Sequence, residues 1–207
     1  MATGGNAVCR MPCGMYNAPG ENVEVCLVMN HDYNDLIALF NGLFEETEGT
    51  ILVRGEDEPI YLPRDESCPH DRVIFAHGYF SSALHEISHW CIAGVERRRK
   101  VDFGYWYRPD GRTADEQRQF EQVEVRPQAL EWLFSEAAGV RFHVSLDNLN
   151  GAKSGNDQSF RQAVWEQAHR YLDRGLPARG GRFLAALLAF YRRSDQFGPA
   201  NFDLAVL

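Results

Sequence analysis

The sequence predicts an α+β fold: a single, mostly helical domain with a small sheet and a metal motif carried on a helix. Three observations predict it. Apolar residues recur at helical spacing through most of the chain from Tyr33 onward. Short runs of strand type cluster between residues 50 and 75. The string His85-Glu86-Ile87-Ser88-His89 falls inside a helical pattern, and helical segments outnumber strands.

Taken in order, residues 1–28 are rich in Gly, Asn and Cys and show no periodicity, so they read as a disordered leader or an upstream mis-start before Met29. Residues 29–207 are expected to form a single domain. Leu36, Ile37, Phe40, Leu43 and Phe44 mark a first helix, with Asp32 or Asn34 as its N-cap. Thr50–Val53 and Ile60–Leu62 read as short strands around the acidic turn Glu56-Asp57-Glu58, and Val73–Phe75 as a third. Ser81 or Ser82 is expected to cap the helix carrying the metal motif, and Gly94 to end it. Val101 to Tyr107 alternates aromatic residues before the turn Arg108-Pro109-Asp110-Gly111.

Thr113 and Glu116 have the spacing of a capping box and open a long helical segment. Pro127 should kink that helix or start a second one. Residues 145–159 read as a loop, and two further helices are expected near Phe160–Leu172 and Gly181–Arg192.

Composition narrows the function. The chain has 207 residues, a formal net charge of −8 and 44% hydrophobic content, which supports a full core and argues against nucleic acid as the main partner. The basic run Arg97-Arg98-Arg99-Lys100 reads as a solvated turn. Five cysteines in no regular framework point to reduced thiols, and neither a signal peptide nor an apolar run of membrane length stands out. The expectation is a cytoplasmic protein with no membrane partner.

His85 and His89 carry the chemistry. Four residues apart on a helix, they share one face about 6 Å apart along the axis, so both rings reach one divalent metal. A third ligand is needed. Glu121, Glu124, Glu131 and Glu136 on the long helical segment are candidates, as are Asp102 and Asp110. Glu124 is the best placed, at helical spacing from Phe120 and Pro127, with Glu121 its competitor. Glu86 lies where HExxH metallopeptidases carry a general base, and in other metal sites such a residue hydrogen-bonds a ligand or water. Two His and a Glu suit zinc with one open position or ferrous iron with several, and spacing does not choose between them.

The strings HEISHWCIAG (residues 85–94) and VDFGYWY (101–107), within His77 to Gly139, resemble the bacterial elongation factor P hydroxylase family. So do GEDEPIYLP (55–63) and LDNL (146–149). The resemblance covers nearly all of the chain from about Met29. It implies iron-dependent, monooxygenase-like hydroxylation of the β-lysylated lysine of elongation factor P, with Fe(II) as the metal and dioxygen as cosubstrate. It implies a metal set of His85, His89 and a glutamate at 121 or 124, for which Glu124 is retained. No isolated Arg or Lys marks a clamp for 2-oxoglutarate, so the sequence does not assign that cosubstrate. A doubly cationic lysyl-lysine would favour an acidic, aromatic cleft. Tyr105, Trp106 and Tyr107 are candidates for cation–π contacts there, and His77 for a place near metal or substrate. The rival readings are a zinc hydrolase using Glu86 as base and a metal-stabilised binding module.

Overall fold

The computed structural model describes residues 31–103, 111–146 and 157–207. The expected leader over residues 1–28 lies outside them, as do Tyr105, Trp106, Tyr107 and Asp110. Helix α1 spans Tyr33–Glu48 and is capped by the Asp32 side chain, which accepts from the Asn34 N–H. Its buried stripe of Leu36, Phe40 and Phe44 follows the four-residue spacing of a core-facing helix. Strands β1 (Thr50–Arg54), β2 (Ile60–Leu62) and β3 (Asp71–Phe75) form a sheet in the order β1-β3-β2. β1 pairs parallel with β3, from Thr50 opposite Asp71 to Arg54 opposite Phe75, and β2 pairs antiparallel with β3. Asp102 extends the free edge of β2 by exchanging backbone hydrogen bonds with Tyr61.

Helix α2 (Phe80–Ile92) begins just before the expected caps: Tyr79 takes the N-cap position, while the Ser82 hydroxyl accepts from the Ala76 N–H at 3.1 Å. The serine ties the helix to the end of β3 instead of capping it. At the other end Ala93 takes the C-cap position, one residue before Gly94. Arg179 donates to the carbonyls of Trp90 and Cys91 there, at 3.0 and 3.3 Å. A cation at a helix C-terminus satisfies orphan carbonyls and sits well with the helix dipole.

Helix α3 (Ala114–Ala138) is capped by the Thr113–Glu116 capping box and runs 25 residues through Pro127 without ending. Proline removes the N–H that would bond the Val123 carbonyl. Val123 is 49% exposed, so water can take that carbonyl instead. Gly139 ends α3 at φ 78°, a left-handed conformation that favours glycine, and turns the chain back along the helix. Helices α4 (Asp157–Arg174) and α5 (Ala178–Phe190) complete the fold, the first beginning earlier than expected and the second both starting and ending earlier.

The core joins the sheet to all five helices. At its centre Phe40, Phe44 and Trp90 meet with ring centroids 4.8–4.9 Å apart, and Phe183 bridges them to Phe134. At Gly180 α5 packs against α2 and α3, where a Cβ would lie in ordinary contact with Leu130 at 3.4 Å and Cys91 at 3.8 Å. Among the described residues no helix is long and apolar enough to cross a membrane.

Candidate metal centre

Helices α2 and α3 pack against each other, and the seam between them is polar where it matters. From α2, Leu84, Ile87 and Cys91 point into the core, while His85 and His89 stand four residues apart on another face. From α3 comes a buried polar stripe: Gln117, Glu121, Glu124, Gln128, Glu131 and Ser135. Their spacing of four and three residues places all six on one side of the helix.

The stripe brings Glu124, which is 0% exposed, to the two histidines. Its Oε1 lies 3.2 Å from His89 Nε2 and its Oε2 lies 3.7 Å from His85 Nε2. The two Nε2 atoms are 3.0 Å apart. One donor atom from each residue falls within 4.8 Å of the others, a group that could hold a metal ion. Metal–donor bonds of about 2.0–2.2 Å put neighbouring donors roughly 3–3.4 Å apart. The 3.0 and 3.2 Å separations match that of a first-row divalent cation, and the 3.7 Å one needs only a small closure.

Glu131 completes the frame. Its Oε2 is 2.8 Å from His85 Nδ1. A carboxylate there keeps the proton on Nδ1 and leaves Nε2 as a lone-pair donor facing Glu124. Burial would lower the His85 pKa, yet the carboxylates of Glu131 and Glu124 outweigh it and raise the pKa well above the ordinary 6.5. Burial pushes the Glu131 and Glu86 carboxyls upward, with His85 and His89 offsetting part of that rise. This is an electronegative pocket asking for positive charge, from protons or from a metal.

A cleft open to solvent adjoins His89. Glu86, His89 and Trp90 of α2 line it, together with Tyr61, Asp102 and the basic side chains of Arg97 and Arg98. Glu86 therefore faces the cleft beside His89.

Residues 39–202 match the profile of the elongation factor P hydroxylase family. The chain belongs to that family. It is 52% identical over 179 residues to a Haemophilus influenzae protein named elongation factor P lysine hydroxylase, covering 86% of this chain and 100% of that relative.

Within this family member the other sequence candidates fall elsewhere. Glu121 is buried, but its carboxylate accepts from Gln117 at 3.3 Å and lies outside the three-residue group. Asp102 pairs with Arg97. Glu136 lies half-buried near the end of α3, where Arg193 donates to its backbone carbonyl. His77 is exposed in the turn between β3 and α2, at φ 52°, with its ring against Tyr79, and does not line the cleft. The acidic turn is solvated, with Glu56 paired to Arg54, and in the basic run Arg98 reaches Glu48 at 3.2 Å. Glu131, a ligand candidate by sequence, instead bonds His85, and Gln128 is a further residue of the site that no sequence motif marks. Their position on the Glu124 stripe was the available signal.

Proposed function

We propose that this protein is an iron-dependent hydroxylase acting on the β-lysylated lysine of elongation factor P. The observation that supports it most is the convergence of two imidazole Nε2 atoms and a fully buried carboxylate on one point, in a member of this family. On this reading His85, His89 and Glu124 hold Fe(II), and residues 29–207 act as one catalytic domain. Ferrous iron bound there supplies the activation of dioxygen that puts one oxygen atom into a C–H bond, the other leaving as water with electrons from an external donor.

The chain's own groups do the rest. Glu131 fixes the His85 tautomer. On this reading the substrate side chain approaches along the cleft beside His89, where Glu86 places a carboxyl to hold a proton or an amine. Tyr105 and Tyr107 remain proposed cation–π partners for the substrate amines. Family membership favours hydroxylation over the zinc-hydrolase reading of the same HExxH string. Glu86→Gln separates the two: measurable hydroxylation survives in a hydroxylase, whereas a zinc hydrolase that uses this base falls silent. The direct test is the mass of β-lysylated elongation factor P after incubation with the protein, Fe(II) and oxygen.

A further inference from the structure

We infer that Gln128 is a positioning residue that sets the orientation of the Glu124 carboxylate by tying it to the backbone at Ser145; this rests on reading His85, His89 and Glu124 as metal ligands. Helix α3 carries the same device twice. In one copy the Gln117 side-chain NH2 donates to Glu121 Oε1 at 3.3 Å and to the Leu146 carbonyl at 3.0 Å. In the other the Gln128 NH2 donates to Glu124 Oε2 at 3.1 Å and to the Ser145 carbonyl at 2.7 Å. Each glutamine thus spans one buried carboxylate and one carbonyl of the segment that returns along α3 after Gly139.

The copies differ in what holds the glutamine and in what the carboxylate reaches. Gln117 is held by Arg112, whose Nε donates to its Oε1 at 2.8 Å. Gln128 uses its own Oε1 to accept the Ser145 N–H at 3.1 Å, so both ends of its amide lie on one residue's backbone, as in a sheet ladder. It is 1% exposed. Two backbone bonds leave its NH2 little freedom, and that NH2 decides how the Glu124 carboxylate can rotate. With Oε2 held, Oε1 faces His89 Nε2. Glu121, oriented as firmly, lies outside the histidine group.

The choice of an amide has a chemical reason. A Lys or Arg at 128 would compensate the carboxylate and compete with a cation for it. A neutral N–H donor orients the oxygen and leaves its charge available. The backbone at Ser145 therefore determines the carboxylate geometry through the Gln128 amide.

The test is Co(II) binding by the full-length chain, followed by calorimetry and by the visible absorption of the bound ion, with no turnover required. Gln128→Met keeps the volume and removes the amide. It is expected to weaken Co(II) binding on the order of 10–100-fold and to change the Co(II) spectrum. Gln128→Asn retains an amide one methylene too short to span Glu124 and Ser145. It should show the same loss, and it serves if the methionine variant does not fold. Gln117→Met is the control: it breaks equivalent bonds to the same returning segment and should leave affinity and spectrum at wild type. Wild-type Co(II) binding in both Gln128 variants would overturn the inference, as would an equal loss in Gln117→Met. Glu124→Ala is run alongside. Loss of Co(II) binding there supports the ligand assignment, and wild-type binding would overturn that assignment and the inference together.

Discussion

One side of α2 sends Leu84, Ile87 and Cys91 into the apolar core, and another turns His85 and His89 toward the carboxylates of α3. The apolar side stabilises the fold, since full burial of each Leu or Ile side chain contributes about 1.5–3 kcal/mol. The polar side does the opposite while no cation is bound. Burying Glu124 and most of Glu131 costs free energy that the Gln128 hydrogen bond offsets in part, and that protons or a metal must offset further. One helix thus carries the stability of the molecule on one face and its chemistry on another. The two faces should be separable by substitution.

The largest expected effect belongs to the polar face. Glu124→Ala and His89→Ala are both expected to reduce hydroxylation to background by mass spectrometry. Metal-free Glu124→Ala, which loses the buried carboxylate, should unfold at or above the wild-type temperature, and metal-free His89→Ala, which leaves that carboxylate without one of its partners, somewhat below it. A collapse of the thermal midpoint would show that the polar seam is structural after all. Phe40→Ala, in the aromatic cluster that α2 joins through Trp90, should cost about 3–5 kcal/mol in denaturant unfolding. Activity per folded molecule should nonetheless be retained.

A smaller effect sharpens the same contrast through pH. With its pKa raised above 6.5, the His85 imidazolium stabilises the metal-free fold. That contribution is complete below 6.5 and is lost as pH rises through the raised value. A metal must displace this proton. Co(II) affinity should therefore climb with pH across that window, by at most about tenfold per pH unit for one proton. A flat profile would mean that His85 is not a ligand. Smallest of all, Thr113→Ala removes the exposed N-cap of α3 and should lower stability by about 1 kcal/mol, with metal affinity unchanged.

Much of this architecture was legible in the sequence because it is locally encoded. The Asp32 cap, the α1 stripe, the capping box and the strands follow from neighbours a few residues apart. The inward turn of Glu124 was legible too, from its phase relative to Phe120. What was not legible depends on partners distant in sequence. Ser82 looks like a cap until β3 supplies the Ala76 N–H, and Pro127 looks like a break until Val123 proves exposed. The parallel pairing of β1 with β3 and the reach of Arg179 to the end of α2 join residues with no shared local pattern. Glu131 and Gln128 acquire their roles only when His85 and Ser145 arrive beside them.

The most direct measurement is the intact mass of β-lysylated elongation factor P after incubation with the protein under oxygen, with and without Fe(II), beside the His85→Ala and His89→Ala variants. The expected result is a gain of one oxygen atom with the wild-type protein and iron, and no gain when iron is omitted or either histidine is replaced. An unchanged mass with the iron-loaded wild type, or the same gain with either variant, would contradict the account.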